Sequence, residues 1–128
     1  MGFAAGGVGV ADISRVLIDD VLYSIKSARV RATASGNTQL IAAVVGSKIR
    51  LVSYAVGPAS AAVVVTIQDA AGTPVVLAGP WDVATNGGIV DSEYKESDQE
   101  GTAGLAVNVN LSLAANVTVH VRYVEVVA

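Results

Sequence analysis

The chain contains no cysteine, one histidine, one tryptophan and one phenylalanine. Without cysteine there is no disulfide framework, no thiol nucleophile and no thiolate metal site. The single histidine, His120, has no serine, cysteine or carboxylate set beside it by spacing, so the pattern supports no Ser-His-Asp or Cys-His nucleophile. Asp82 and the other carboxylates show no paired spacing of the glycosidase kind. No enzyme activity and no cofactor are expected.

Charge is scarce as well. Asp, Glu, Lys and Arg make up 15% of the 128 residues, a low share for a monomer that keeps its whole surface in water. This leans towards an oligomer or a docked subunit. The net charge of −3 lacks the basic footprint of generic nucleic-acid binding. Apolar runs stop well short of the ~20 residues of a membrane-spanning helix. Arg15, the first basic residue, follows a glycine-rich start rather than preceding an apolar core, which is not the layout of a signal peptide. The expectation is a protein made in a reducing cytoplasm and used or assembled there, with neither nucleic acid nor membrane as partner.

What the chain does have is valine and alanine. The hydrophobic fraction is 52% with only six aromatic residues, a composition suited to thin β-layers rather than bulky helical cores. A chain of this length forms one domain and buries roughly two thirds of its unfolded surface. Gly104–Val127 carries the clearest pattern. Leu105, Val107, Val109, Leu111 and Leu113 share one parity, Ala106, Asn108, Asn110 and Ser112 the other. After Ala114-Ala115-Asn116 the alternation resumes, with Val117, Val119, Val121 and Tyr123 set against Thr118, His120 and Arg122. A period of two means strands with one face buried, and the short turn predicts an antiparallel hairpin.

The rest reads as more of the same. Strands are expected at Ala28–Ser35, Thr38–Val45, Lys48–Val56, Ala62–Asp69, Thr73–Ala78, a stretch after Gly79-Pro80, and Ile89–Ser92. Turns fall at Ser35-Gly36-Asn37, Gly46-Ser47, Gly57-Pro58, Ala71-Gly72 and Asn86-Gly87-Gly88. About eight strands at this spacing predict an all-β antiparallel sandwich or jelly roll over residues 28–128. Residues 1–27 form an N-terminal arm and lead-in. Met1–Ala11 holds four glycines and no charge, and reads either as an arm that orders on a partner or as a frayed terminus. Its Gly7-Val8-Gly9 lacks the third glycine of a dinucleotide fingerprint. Asp12–Ser27 is open between a helix capped by Asp12 and two short strands, Arg15–Ile18 and Val21–Lys26, around Asp19-Asp20.

Asp91–Glu100 stands apart, with five of the eleven acidic residues and one lysine, so it carries −4 and the remainder +1. It can be a solvated loop, a calcium site without EF-hand spacing, or a salt-sensitive contact with the basic strands of a neighbouring copy. The basic set is Lys26, Arg29, Arg31, Lys48, Arg50 and Arg122. Trp81 is either a plug at the end of the sandwich or an interface anchor. The Asn110-Leu-Ser and Asn116-Val-Thr triplets match glycosylation acceptors only by accident if the chain is not secreted.

The order of the small motifs carries a resemblance. Ala34-Ser-Gly-Asn-Thr38, Ala42-Ala-Val-Val-Gly46 with Lys48-Ile-Arg50, Val63-Val-Val-Thr66, Leu77-Ala-Gly-Pro80, Asn86-Gly-Gly-Ile-Val90, Thr102-Ala-Gly-Leu-Ala-Val-Asn108 and Val121-Arg-Tyr-Val-Glu-Val126 resemble, in series, small β-rich structural proteins of tailed-bacteriophage virions. The likeness covers about the last three quarters of the chain. It implies a jelly-roll or similar sandwich, often trimeric, acting as a capsid decoration (cement) protein or a fibre-like appendage. The partners would be the major capsid protein and further copies of the chain. Phe3, Val8, Val10, Arg29, Arg31 and Trp81 are then the candidate contact residues. The alternative is a head- or tail-fibre module recognising a host-surface glycan. One departure is the acidic run, which stands where the family pattern has an apolar, aromatic approach to the Thr102-Ala103-Gly104 turn.

Overall fold

The structure, a computed structural model, describes residues 15–18, 21–91 and 100–128. These form ten strands and no helix: β1 (Arg15–Ile18), β2 (Val21–Ser24), β3 (Lys26–Ala32), β4 (Gly36–Ile41), β5 (Ser47–Val56), β6 (Val63–Asp69), β7 (Val76–Val83), β8 (Ile89–Asp91), β9 (Val107–Leu111) and β10 (Val117–Val127). β3 to β10 make two four-stranded antiparallel sheets, ordered β3-β10-β5-β8 and β4-β9-β6-β7, and β1-β2 is a separate hairpin. The expected all-β sandwich is therefore present. The arm boundary drawn at residue 27 falls inside β3, which begins at Lys26.

Alternation sets the core. Val107, Val109 and Leu111 of β9 face Val117, Val119, Val121 and Tyr123 of β10 across one continuous apolar layer that also holds Val63, Val65, Ile67, Ile49 and Leu51. All of these are buried, as their parity predicts. Leu113, at 42% exposure, and the half-buried Leu105 are the exceptions, because they lie beyond the ends of β9.

The predicted hairpin between these two strands does not form. β9 pairs with β4 and β6, whereas β10 pairs with β3 and β5. The connection crosses from one sheet to the other, and its ends bond to the β6 side rather than to each other. Ser112 N donates to Val64 O and Val64 N to Ser112 Oγ, while Ser60 N donates to Asn116 O and Asn116 N to Ser60 Oγ. Both strands become central, with partners on both edges, and so satisfy more backbone groups than an isolated hairpin could.

A further expectation needs correction. Gly79-Pro80 does not end a strand: β7 runs through it, joined by a cis peptide bond. The ladder to β6 steps from Val65↔Trp81 to Ile67↔Ala78, leaving a bulge opposite Thr66. β7 is an edge strand, where proline's missing N–H and an extra residue are tolerated. Gly79 has φ +89°, and a Cβ there would lie 2.9 Å from Val65 O.

Of the two readings left open for residues 12–27, the strands are what the described residues adopt. Arg15–Ile18 and Val21–Ser24 pair in register, with Leu17 opposite Leu22. The hairpin lies on the outer side of the β3-β10-β5-β8 sheet. This end of the face is apolar because Val124 and Val126 follow Arg122 on the outward parity of β10 and Val52 neighbours the inward Leu51; a bulge, with Arg122 opposite Ser53 and Tyr123 opposite Leu51, leaves Val52 unpaired. Val52, Val124 and Val126 then point outward, and Ile18 and Tyr23 cover them as a second small core.

Candidate functional site

The hairpin covers one end of that outer face and leaves the other end open. Opposite pairs across β3 and β10 are Ser27↔Arg122, Arg29↔His120 and Arg31↔Thr118. Their neighbours Ala28, Val30, Val119 and Val121 pack inward, so alternation turns all six outward. Arg29, Arg31, His120 and Arg122 are exposed. Two other described cations are arranged differently. Lys26 Nζ meets Glu125 Oε1 at 3.0 Å, and Arg50 meets Glu100 at 2.8 Å. The hydrogen bond and charge of Glu125 hold the Lys26 amine above its ordinary value. Among the described residues, Arg29, Arg31 and Arg122 make no ion pair. Of the basic set, Lys26 and Arg50 are thus tied to carboxylates, Lys48 stands at the start of β5, and Arg29, Arg31 and Arg122 share one cationic face without an ion pair among the described residues.

At the Arg31 end this face opens into a pocket of about 320 Å³. Arg31 and Thr118 form its strand wall, Asn86 and Asn116 supply amides, and Pro58, Ala59 and Ser60 complete it. None of the described lining residues is acidic. Three loops build it, and backbone hydrogen bonds tie them together. Gly57 N donates to Thr118 O at 2.9 Å, Ala59 N to Gly87 O at 3.2 Å and Asn86 N to Ala59 O at 2.7 Å. Ser60 and Asn116 close the third side through the paired bonds already described. Asn86 adopts φ +62°, a left-handed conformation that asparagine tolerates better than most residues.

A second surface is apolar. Leu17, Val21 and Leu22 of the N-terminal hairpin are each about half exposed. Leu17 and Leu22 share the side turned away from the Ile18–Tyr23 core contact.

The candidate contact residues scatter. Phe3, Val8 and Val10 lie outside the described residues, as does most of the acidic run. Arg29 and Arg31 stand together on the cationic face. Trp81 is elsewhere: half buried on β7, it packs against the main core and tilts at 38° to the Tyr54 ring, with centroids 5.1 Å apart. This is the geometry of a plug between the sheets.

No protein-family model matches the chain, and no curated protein or solved structure matches it. The surfaces must therefore be read from their own chemistry. Among the described residues no cluster of three or more His, Cys, Asp or Glu side chains gathers as around a metal ion.

Asp69 is the buried charge that sequence reasoning passed over. It ends β6 on the same parity as Val63, Val65 and Ile67, and it is fully buried. One carboxylate oxygen accepts from Ala71 N at 3.1 Å and Val75 N at 2.9 Å, the other from Thr102 N at 2.8 Å and Thr102 Oγ1 at 2.6 Å. Burial pushes its carboxyl up, but the bonds from Thr102, Val75 and Ala71 outweigh that and hold it below the usual carboxylate range. The signal was available: an acid on a buried parity, followed by Ala-Ala-Gly-Thr-Pro, is an Asx-type turn. Its role is to latch the β6–β7 turn to the segment leading into β9.

Proposed function

We propose that this chain is a structural virion protein with a jelly-roll fold, which binds the outside of an assembled bacteriophage capsid and stabilises it. Counting the sandwich strands in chain order, the sheets read first-eighth-third-sixth and second-seventh-fourth-fifth. That interleaving supports a jelly roll of two wound Greek keys, an architecture found in capsid proteins.

The observation that carries the reading is the exposed Leu17–Leu22 pair. The core closes without this pair, so its apolar surface is left for a partner. In sequence, Asp12–Ser14 separate the hairpin from the uncharged, glycine-rich Met1–Ala11. In this reading Phe3, Val8 and Val10, and separately the hairpin, contact the major capsid protein, and a homotrimer multiplies weak contacts by effective concentration. Stabilisation follows by mass action, because a subunit that binds only the assembled shell favours that shell.

The purified protein is expected to co-sediment with empty capsids that lack it and to raise their heat resistance. Absence of binding by the full-length chain would reject the reading. Deleting Gly2–Ala11 should weaken capsid binding and leave the β-sheet circular dichroism intact. The double substitution Leu17→Ser and Leu22→Ser should weaken binding by about tenfold, with little change in melting temperature because both side chains are already half in water. Undiminished binding by the double variant would remove the hairpin from the contact.

A second reading, a head- or tail-fibre module for a host-surface glycan, is favoured by the polar pocket beside Arg31.

A further inference from the structure

We propose that the pocket of Arg31, Ser60, Asn86, Asn116 and Thr118 binds a carboxylate-bearing saccharide, with the acid group on Arg31. This deepens the fibre-module reading and rests on it; the capsid reading does not depend on it.

The pocket's size, about 320 Å³, lies at the lower end of the ~300–1,000 Å³ of small-ligand sites, which suits one or two sugar units. Its chemistry is that of a polyhydroxylated ligand. Two side-chain amides and two hydroxyls can donate and accept, and Pro58 and Ala59 offer a small apolar floor. No aromatic ring among the described residues lines it, so a neutral sugar would lack the stacking surface that usually anchors it. Charge takes that place. Among the described residues Arg31 is the one ionic group in the lining, and its planar fork matches a carboxylate in two-point geometry.

The surroundings extend the site. Arg29 stands two positions along β3, His120 is opposite it, and Arg122 follows on β10. An acidic oligosaccharide leaving the pocket would therefore run along a face that, among the described residues, is cationic. The site is also preformed. The three loops beneath it are joined by backbone hydrogen bonds, so little ordering entropy opposes binding.

The test is titration calorimetry of the full chain with oligogalacturonate and sialyl-lactose. Their carboxyl methyl esters, neutral maltohexaose and inorganic phosphate serve as comparisons. At least one acidic saccharide should bind about tenfold more tightly than its own methyl ester. Arg31→Gln should abolish that difference, and Asn86→Ala should weaken acid and ester alike. Esters that bind as well as acids, or neutral glycans that bind while acids gain nothing, would overturn the proposal and leave the fibre reading standing. Phosphate binding as tight as the saccharides would reduce the site to a simple anion site and overturn the saccharide assignment. No binding of any glycan would remove both readings. Because Arg31 is exposed on a strand surface, unchanged far-ultraviolet circular dichroism of Arg31→Gln is the check that the effect is local.

Discussion

Asp69→Ala is expected to lower the stability of the fold by about 3 kcal/mol, read as a fall in the urea midpoint at unchanged slope. The side chain is fully buried and accepts four hydrogen bonds, three from backbone N–H groups and one from a hydroxyl. Its removal leaves the donors of Ala71, Val75 and Thr102 without their acceptor. Because Thr102 is exposed and Ala71 is only half buried, water replaces some of the lost bonds and keeps the loss near that figure. Asp69→Asn is the sharper variant. One oxygen can still accept from Ala71 and Val75, but the amide turns two hydrogens towards the Thr102 N–H. A loss of about 2 kcal/mol is expected.

The same site has a defined pH signature. The folded carboxyl lies below its ordinary range, so the folded state holds the proton less tightly than the unfolded chain does. Its contribution is complete above the unfolded value of ~3.9 and is lost as pH falls from there through the lower folded value. The stability gap between the native chain and Asp69→Asn should be constant near neutrality and shrink below about pH 4. A gap that persists unchanged into stronger acid would mean that the carboxylate charge is not what the site uses.

Gly57→Ala is expected to cost about 2–4 kcal/mol. Gly57 has φ +109°, and an added Cβ would lie 2.6 Å from Gly87 O and 2.9 Å from Gly88 Cα. Both are backbone atoms. Gly87 is held in turn by its own N–H bond to Ala84 O and by the bond its carbonyl accepts from Ala59, so the obstacle cannot swing aside as a side chain would. Gly72→Ala is the control, since nothing lies within 4 Å of its added Cβ and its φ is not positive. Its midpoint should move by no more than ~0.5 kcal/mol. Comparable losses at the two positions would mean that the 57–60 and 84–88 loops are not in contact. The prediction also bears on ligand binding, because these loops form the pocket beneath Arg31: Gly57→Ala should weaken saccharide binding without removing a contact residue.

Strand faces were legible because burial follows the two-residue period of the extended chain. Val107, Val109 and Leu111, and Val117, Val119, Val121 and Tyr123, are buried as their parity requires. The bulge in β5 also left a trace, since the apolar phase moves from Ile49 and Leu51 to Tyr54 and Val56. Breakers were less informative. Gly57-Pro58 does end a strand, whereas Gly79-Pro80 sits inside one, and the difference is that β7 is an edge. At Asp69 the local turn was legible in the residues that follow it, but its partner Thr102 is thirty-three residues away, beyond any local pattern. Arg29, Arg31, His120 and Arg122 could each be assigned to a strand surface, but their gathering on one face follows from the pairing of β3 with β10.

Residue order alone thus specified an all-β chain, the inward face of its main strands and an apolar N-terminal lead-in, because each depends on near neighbours and on the geometry of a single strand. It did not specify which strands are partners. Backbone N–H and C=O groups are the same in every strand, so a valine-rich segment can pair with several others at similar local energy. The crossing of β9 and β10 into opposite sheets, the latch at Asp69 and the pocket under Arg31 come instead from three-dimensional closure. Only there do the two apolar faces cover each other while the loop backbone and the Asp69 carboxylate find hydrogen-bond partners.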